Sequence, residues 1–317
     1  MRKAALLYNP ASGGRGRRRQ HELEAALALL RGAGVEADLV PTDSQDHAGD
    51  ETRRAIASGC DTIFAGGGDG TVHNIAQVLA TTPVALAILP MGTANALAHD
   101  IGLPLGVVSA AESALHATPR RIALGCVKYT DLRGNSGTKY FVVAAGIGVD
   151  AHLFYKLHSG TKQRMGMAAY YAKAWNLLVT YPMNRFSAEY AVSGSDTARR
   201  AEVTELLSVR IRNFGGVVQE LAPGASLDRD DMRLILCRTA SRMAYLGYVA
   251  RCALRRRWAI PGIELAYSKK VSCDYLPPSS ANEQPKIYIE ADGELLGTLP
   301  AEITVVPDAL TLLAPPR

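Results

Sequence analysis

The first half of the chain alternates between two periodicities. The apolar runs KAALLYN, GVEADLVPT, DTIFAGG and PVALAILP are separated by QHELEAALALLRG, HAGDETRRAIASG and TVHNIAQVLATT, whose apolar residues recur at helical spacing. Strand, helix, strand, helix is the pattern of a parallel sheet covered by helices on both faces. That architecture also restricts where a ligand can sit, because such sheets bind beyond the carboxyl ends of their strands.

Three polar loops fall at those ends: NPASGGRGR after the first run, GGGDGT after the third and PMGTAN after the fourth. Each joins small residues to a hydroxyl or an amide. Backbone can then approach a phosphate closely and donate N–H bonds, with the positive end of the following helix behind it. A strand-to-helix turn alone would use one or two glycines, whereas Gly66 to Gly70 holds four around a single carboxylate, Asp69. The standard nucleotide fingerprints G-x-x-x-x-G-K-[ST] and G-x-G-x-x-G do not occur in these loops.

At 317 residues the chain exceeds the usual size of one hydrophobic core, so two domains are expected. Hydrophobic residues at 48% and charged residues at 21% describe a folded chain without low-complexity tracts. Asn9-Pro10 interrupts the N-terminal apolar run too early for a signal-peptide core, and the run reads as a strand. No stretch approaches the roughly 18 apolar residues of a membrane span, so a soluble or peripheral protein is expected. The five cysteines are widely spaced and read as buried free thiols of a reducing cytoplasm. His73, beside the glycine loop, reads as a packed or solvated helix residue.

Charge divides unevenly. Residues 1–119 carry 9 Lys and Arg against 12 Asp and Glu, a net of −3, while residues 120–317 carry 26 against 18, a net of +8. The basic second half suits an anionic surface or ligand, or is simply a basic solvated domain. Its runs RFSAEYAV, TELLSVRIRNFG, MRLILCRT, KKVSCDYL, KIYIEADGE and AEITVVP read as short strands, interrupted by the helical stretch GMAAYYAKAWNLLVTYP. The boundary falls near Pro119, where the parallel pattern ends.

The motifs N9-P10-x-S12-G13, G67-G68-D69-G70-T71 and L89-P90-x-G92-T93-x-N95 resemble, in order and spacing, the diacylglycerol kinase catalytic-domain family, which includes bacterial lipid kinases and the sphingosine and ceramide kinases. A145-G146-I147-G148-V149-D150-A151 and D292-G293-E294 resemble its later glycine-rich and D-G-E segments, so the likeness spans nearly the whole chain. The resemblance implies an α/β fold: an N-terminal three-layer α/β/α domain with a mostly parallel sheet over residues 1–119, and a C-terminal β-sandwich-like domain with a helical insertion over residues 120–317. The last residues are allowed to pack back on the first domain. ATP and substrate are expected in the cleft between the two.

The resemblance also implies roles. Asn9, Pro10, Ser12, Gly13, Thr42, Gly66, Gly67, Gly68, Asp69, Gly70, Thr71, Gly92, Thr93 and Asn95 would cradle ATP, with Asp69 acting through the Mg²⁺ that accompanies it. Asp292 would be the general base at a lipid hydroxyl and Glu294 would shape the acceptor site. Many bacterial members hold a second, structural Mg²⁺ at an Asp-Gly segment. Here the equivalent reads ASLDRDDMRLIL, so Asp228, Asp230 and Asp231 are either a cation site or an exposed turn. Arg15, Arg17, Arg18 and Arg19 either touch phosphate or line a solvated helix face.

Diacylglycerol is the default acceptor, with sphingoid or ceramide-like lipids behind it. An NAD kinase, which shares GGDGT, and a non-catalytic lipid-binding protein are the rival readings. The stretch YLGYVARCALRRRW is expected to dock on anionic membrane through Arg251, Arg255, Arg256 and Arg257, with Tyr245, Leu246, Tyr248, Leu254 and Trp258 in contact, or else to pack on the sheet. A cytoplasmic enzyme peripheral to the inner face of the membrane follows, free of nucleic-acid partners and with a homodimer allowed.

Overall fold

The computed structural model describes residues 1–10, 12, 16–151, 180, 182–195, 197–216, 219–256, 258–277 and 285–316. Gly13, Arg15, Arg257 and all of GMAAYYAKAWNLLVTYP except Thr180 and Pro182 lie outside them. The chain divides into two compact units. The first comprises Met1–Leu124, Asn213–Gln219 and Val306–Arg317, and the second Gly125–Arg212 and Glu220–Val305.

In the first unit the elements are β1 (Lys3–Tyr8), α1 (Gly16–Gly32), β2 (Glu36–Pro41), α2 (Gln45–Ala57), β3 (Thr62–Gly67), α3 (Asp69–Leu79), β4 (Ala85–Pro90), α4 (Ala96–Asp100) and α5 (Val107–Leu115). The strands lie in the order β2-β1-β3-β4, all parallel, with Leu6 opposite Leu39 on one side and Phe64 on the other. Helix α1 packs with α5 and α2 with α3. Every residue of β3 and β4 is buried, as expected of strands covered on both faces. Because β1 pairs with β2 on one side and β3 on the other, the strand order reverses at β1. The loops after β1 and β3 therefore leave the sheet at its switch point, the place where open α/β sheets bind ligands.

The second unit is antiparallel. Strand β5 (Thr118–Thr130) starts in the first unit and is followed by β6 (Ser136–Phe141), β7 (Ala144–Gly148), β8 (Phe186–Ala191), β9 (Ala198–Val203), β10 (Glu205–Val209) and β11 (Met232–Cys237). Helix α6 (Arg242–Ala253) then precedes β12 (Ile263–Ser268), β13 (Lys270–Tyr275), β14 (Tyr288–Ala291) and β15 (Glu294–Ala314). One run of neighbours is β12-β11-β10-β7-β14-β15 and another is β9-β8-β13-β15, so β15 serves both. Phe141, Ile147, Phe186, Leu206, Leu234, Ile289 and Ile303 lie in the core of this β-sandwich-like unit.

Strand β15 ends in the first unit, where Thr311 and Leu312 pair in parallel with Ala85 and Leu86 of β4. Elements not expected from the sequence are α4, α5, β5, β6, β7, β9 and β12. Residues 118–121, Thr-Pro-Arg-Arg, read as a boundary yet open β5, and β9 carries exposed Arg199 and Arg200, which mask its alternation. All five cysteines are buried free thiols, and His73 is buried in α3.

Leu312 is fully buried where β15 closes the first unit. Leu312→Ala is expected to lower the unfolding free energy by about 2–5 kcal/mol. A urea titration should show this as a lower midpoint with an unchanged slope.

Candidate active site

The first unit brings the β3 and β4 loops together through one carboxylate. Oδ2 of Asp69 accepts the Asn95 N–H at 3.0 Å and Oδ1 accepts the Ala96 N–H at 2.7 Å. Asp69 thus sits in the first turn of α3 but caps α4. Asn95 takes a left-handed conformation (φ 49°), and its side chain accepts from the Gly92 N–H at 2.9 Å and donates to the Gly92 carbonyl at 3.0 Å. The loops approach so closely that a Cβ on Gly92 would lie 2.5 Å from the Gly68 Cα. Glycine is needed there for space. Helix α3 begins at N-cap Gly68 with no side-chain cap, which leaves N–H groups of its first turn for another acceptor. The Asn9 N–H donates to the Gly66 carbonyl at 2.9 Å, tying the β1 loop to the same place. Thr71 is buried and Thr93 exposed, while the buried Thr42 hydroxyl is turned to the Tyr8 carbonyl at 3.2 Å.

The second unit is organised around acids. Asp292, in the β14–β15 turn with φ 47°, accepts the Val142 N–H on Oδ2 at 2.9 Å and those of Val143 and Ala144 on Oδ1 at 2.9 and 3.1 Å. These donors commit its carboxylate to fixing the turn against β7. Glu294, the first residue of β15, lies 3.6 Å from the Lys139 ammonium, with 15% of its side chain exposed. Behind the turn, Glu205 and Glu290 are buried; Glu205 accepts the Asp150 N–H and Glu290 accepts the Gly293 N–H at 2.8 Å. A Cβ on Gly146 would come within 2.9 Å of both the Asp150 and Glu290 carboxyls. Burial raises Asp150 to about 6, and burial followed by the charge of Asp150 raises Glu205 and Glu290 well above the usual carboxylate range.

Residues 3–127 match the diacylglycerol kinase catalytic domain, and residues 142–314 match the YegS C-terminal NAD kinase beta sandwich-like domain. The chain belongs to the diacylglycerol kinase family. It is 28% identical over 305 residues to a diacylglycerol kinase of Bacillus subtilis, covering 95% of this chain and 93% of that one. A diacylglycerol kinase structure from Bacillus anthracis superposes with a TM-score of 0.70 at 18% identity, covering 99% and 97% of the two chains. Yeast NADH kinase, solved with NADH, is more distant in fold, with a TM-score of 0.50 at 11% identity, covering 100% and 84%.

Within this diacylglycerol kinase framework, the three backbone donors hold the Asp292 carboxylate in one orientation at the turn. Asp231 is buried and held by the Arg229 guanidinium at 2.6 and 2.8 Å, Asp228 and Asp230 are exposed, and no metal-binding cluster of three His, Cys, Asp or Glu exists among the described residues. Arg251, expected at the membrane, is buried within α6 and stacked on Tyr248 of the same helix at 4.2 Å. Tyr245 and Tyr248 also point inward, donating to or sharing bonds with Thr204 and the Leu221 carbonyl. Arg255 and Arg256 are exposed, and Arg18 pairs with Glu22 on the surface of α1. Glu205 and Glu290 were not foreseen. Their signal was a glutamate inside each apolar run, TELLSV and KIYIEA.

Two measurements follow from this geometry. Asp69→Asn replaces one acceptor by a donor facing a backbone N–H and is expected to cost about 1–3 kcal/mol of stability by denaturant titration. The buried acids hold protons that the unfolded chain, with ordinary values near 4, gives up. Their contribution to stability is therefore complete below about pH 4 and is lost as pH rises through 6 and beyond. Glu290→Gln removes one such group, so its melting temperature is expected to gain on wild type between pH 4.5 and 7.5. A gap that stays constant with pH would contradict the assignment.

Proposed function

We propose that the chain is an ATP-dependent lipid kinase that phosphorylates the free hydroxyl of diacylglycerol. The observation that carries this reading is the Asp69 bridge, which holds two glycine loops and an uncapped helix start together at the sheet's switch point. N–H groups of the α3 first turn would receive phosphate oxygens of ATP, aided by the positive end of the helix. Mg²⁺ bound with ATP neutralises phosphate charge; Asp69 is the carboxylate in these loops able to face it, through water. The chain's own part is to cradle, orient and hold charge, which is most of what phosphoryl transfer asks of a protein.

At the acceptor, Asp292, oriented by its three backbone donors, is the carboxylate we assign to take the hydroxyl proton, and Glu294 beside it shapes the acceptor site. Glu294 lies on the strand that the turn starts, and its Lys139 partner at 3.6 Å is an ion pair rather than a close hydrogen bond. The NAD kinase reading draws only on the shared GGDGT loop and a distant likeness of fold.

Contact with the membrane is also proposed, through the exposed part of the expected face and the apolar residues beside it. Met243, Val249, Leu254 and Trp258 are exposed apolar side chains on α6 and just after it, with Arg255 and Arg256 beside them. Apolar insertion flanked by cations suits an anionic lipid surface. No helix among the described residues is long and apolar enough to cross a membrane.

ATP consumption in mixed micelles with diacylglycerol, a sphingoid base and ceramide, with NAD as control, tests the reaction. Phosphate is expected on diacylglycerol; transfer to NAD with none to any lipid would refute the proposal. Asp292→Asn is expected to lower turnover by roughly 10²-fold or more with ATP binding intact, the usual scale for a lost general base. Met243→Ser with Trp258→Ser should weaken binding to phosphatidylglycerol vesicles while activity in micelles survives.

A further inference from the structure

The turn that leads into β11 meets a charge held out of water. Arg210, directly after β10, is 0% exposed and is the largest fully buried side chain among the described residues. Val209 lies opposite Arg233 in the antiparallel β10–β11 pair, so Arg210 comes alongside the residues just before β11. Its Nη1 donates to the Asp231 carbonyl. Burial lowers the guanidinium to about 10, against the pull of the Asp231 and Asp230 carboxylates, and it stays charged at neutral pH. Taking such a group out of water is unfavourable unless hydrogen bonds and opposite charge meet it.

The turn supplies both. The N–H of Asp228 donates to the Ser226 hydroxyl at 3.2 Å and that of Arg229 to the Ser226 carbonyl at 3.2 Å, which closes a tight bend. Asp228, Asp230 and Asp231 follow within four residues, a density of like charge that calls for a cation. Arg229 answers part of it. Its Nε meets Oδ1 of Asp231 at 2.6 Å and its Nη2 meets Oδ2 at 2.8 Å, while the face of the group lies on the Tyr267 ring at 4.0 Å. Only 7% of the Asp231 side chain is exposed, against 42% of Arg229. One guanidinium therefore takes the Asp231 carboxylate and another takes its carbonyl, all within the second unit.

We propose that Arg210 and Arg229 take the place of the structural Mg²⁺ expected at this segment, so that the turn carries its positive charge in the chain and needs no divalent metal. A hard cation binds carboxylate and carbonyl oxygens at about 2.0–2.6 Å. It would compete for the Asp231 oxygens that the two arginines hold, and it would stand against both of their charges. A planar guanidinium suits the exchange, because its N–H groups satisfy two oxygens in fixed directions where a metal would collect them radially. For the enzyme, Mg²⁺ would then act with the nucleotide alone, and chelation would stop phosphoryl transfer without loosening the second unit. The inference concerns the turn and does not depend on which hydroxyl is phosphorylated.

The test uses the full chain without nucleotide, so that no kinase activity enters the readout. Melting temperature is measured in EDTA and in millimolar Mg²⁺, and Mn²⁺ binding is followed by electron paramagnetic resonance. Wild type is expected to melt within about 1 °C in the two buffers, the scale of a ligand effect too small to mark a site, and to leave the Mn²⁺ signal that of the free ion. Arg210→Met should lower the melting temperature by roughly 10 °C, as removal of a partner from a buried ionic group does. Arg210→Lys keeps the charge and should recover part of that loss. The control is Asp228→Asn with Asp230→Asn, at two exposed positions. A rise of more than about 2 °C with Mg²⁺ that this control abolishes would place the metal in the turn and overturn the proposal. A rise that the control keeps comes from elsewhere in the chain and leaves the turn without a metal, as proposed. If Arg210→Met melts with wild type, or Arg210→Lys melts no higher than Arg210→Met, the buried charge is not what holds the turn and the proposal falls.

Discussion

Two hydrogen bonds from the backbone of Asn95 and Ala96 to the Asp69 carboxylate set the geometry of the proposed phosphate cradle. They join loops that leave neighbouring parallel strands, and they can form only because Gly68 and Gly92 let the two backbones meet. A helix start would ordinarily be capped by the residue in front of it. Here the residue in front of α3 is Gly68, and the nearest carboxylate is spent on α4. Thus the same residue that stabilises one helix helps to leave the start of another open to a ligand.

The second unit solves a different problem, holding the turn we propose to be catalytic on an antiparallel sheet. Asp292 sits in a left-handed conformation and is over-determined by backbone donors from residues 142–144. Glu290 grips the same turn from the other side through Gly293. Buried acids that must remain protonated cost stability as pH rises, and here they lie directly behind the turn that presents Glu294. Backbone strain and buried polar groups of this kind concentrate at functional sites.

The parallel half was legible in the sequence because its signals are local. Four apolar runs, three helical stretches and three loops at strand ends were enough to place β1 to β4, α1 to α3 and the donor loops. The role of Asp69 was hidden because its partners are 26 and 27 residues away and are backbone groups, which no residue type announces. The same holds for Asp292, whose donors lie about 150 residues upstream. Arg251 misled for a related reason. Among RCALRRRW it reads as one more surface cation, whereas in the structure it is buried on α6, stacked on Tyr248 of the same helix. In β9 and β12 short strands half-exposed to solvent gave too little alternation to stand out from turns.

The central claim is that Gly66 to Thr71 and Met91 to Ala96, joined by Asp69, form the ATP phosphate cradle. Amide hydrogen exchange followed by mass spectrometry, with and without Mg·ATP, tests it most directly. The account predicts that ATP slows exchange in peptides spanning residues 66–72 and 91–96, and that NAD at the same concentration does not. Protection confined to other segments, with these two loops exchanging at the same rate in both states, would contradict it.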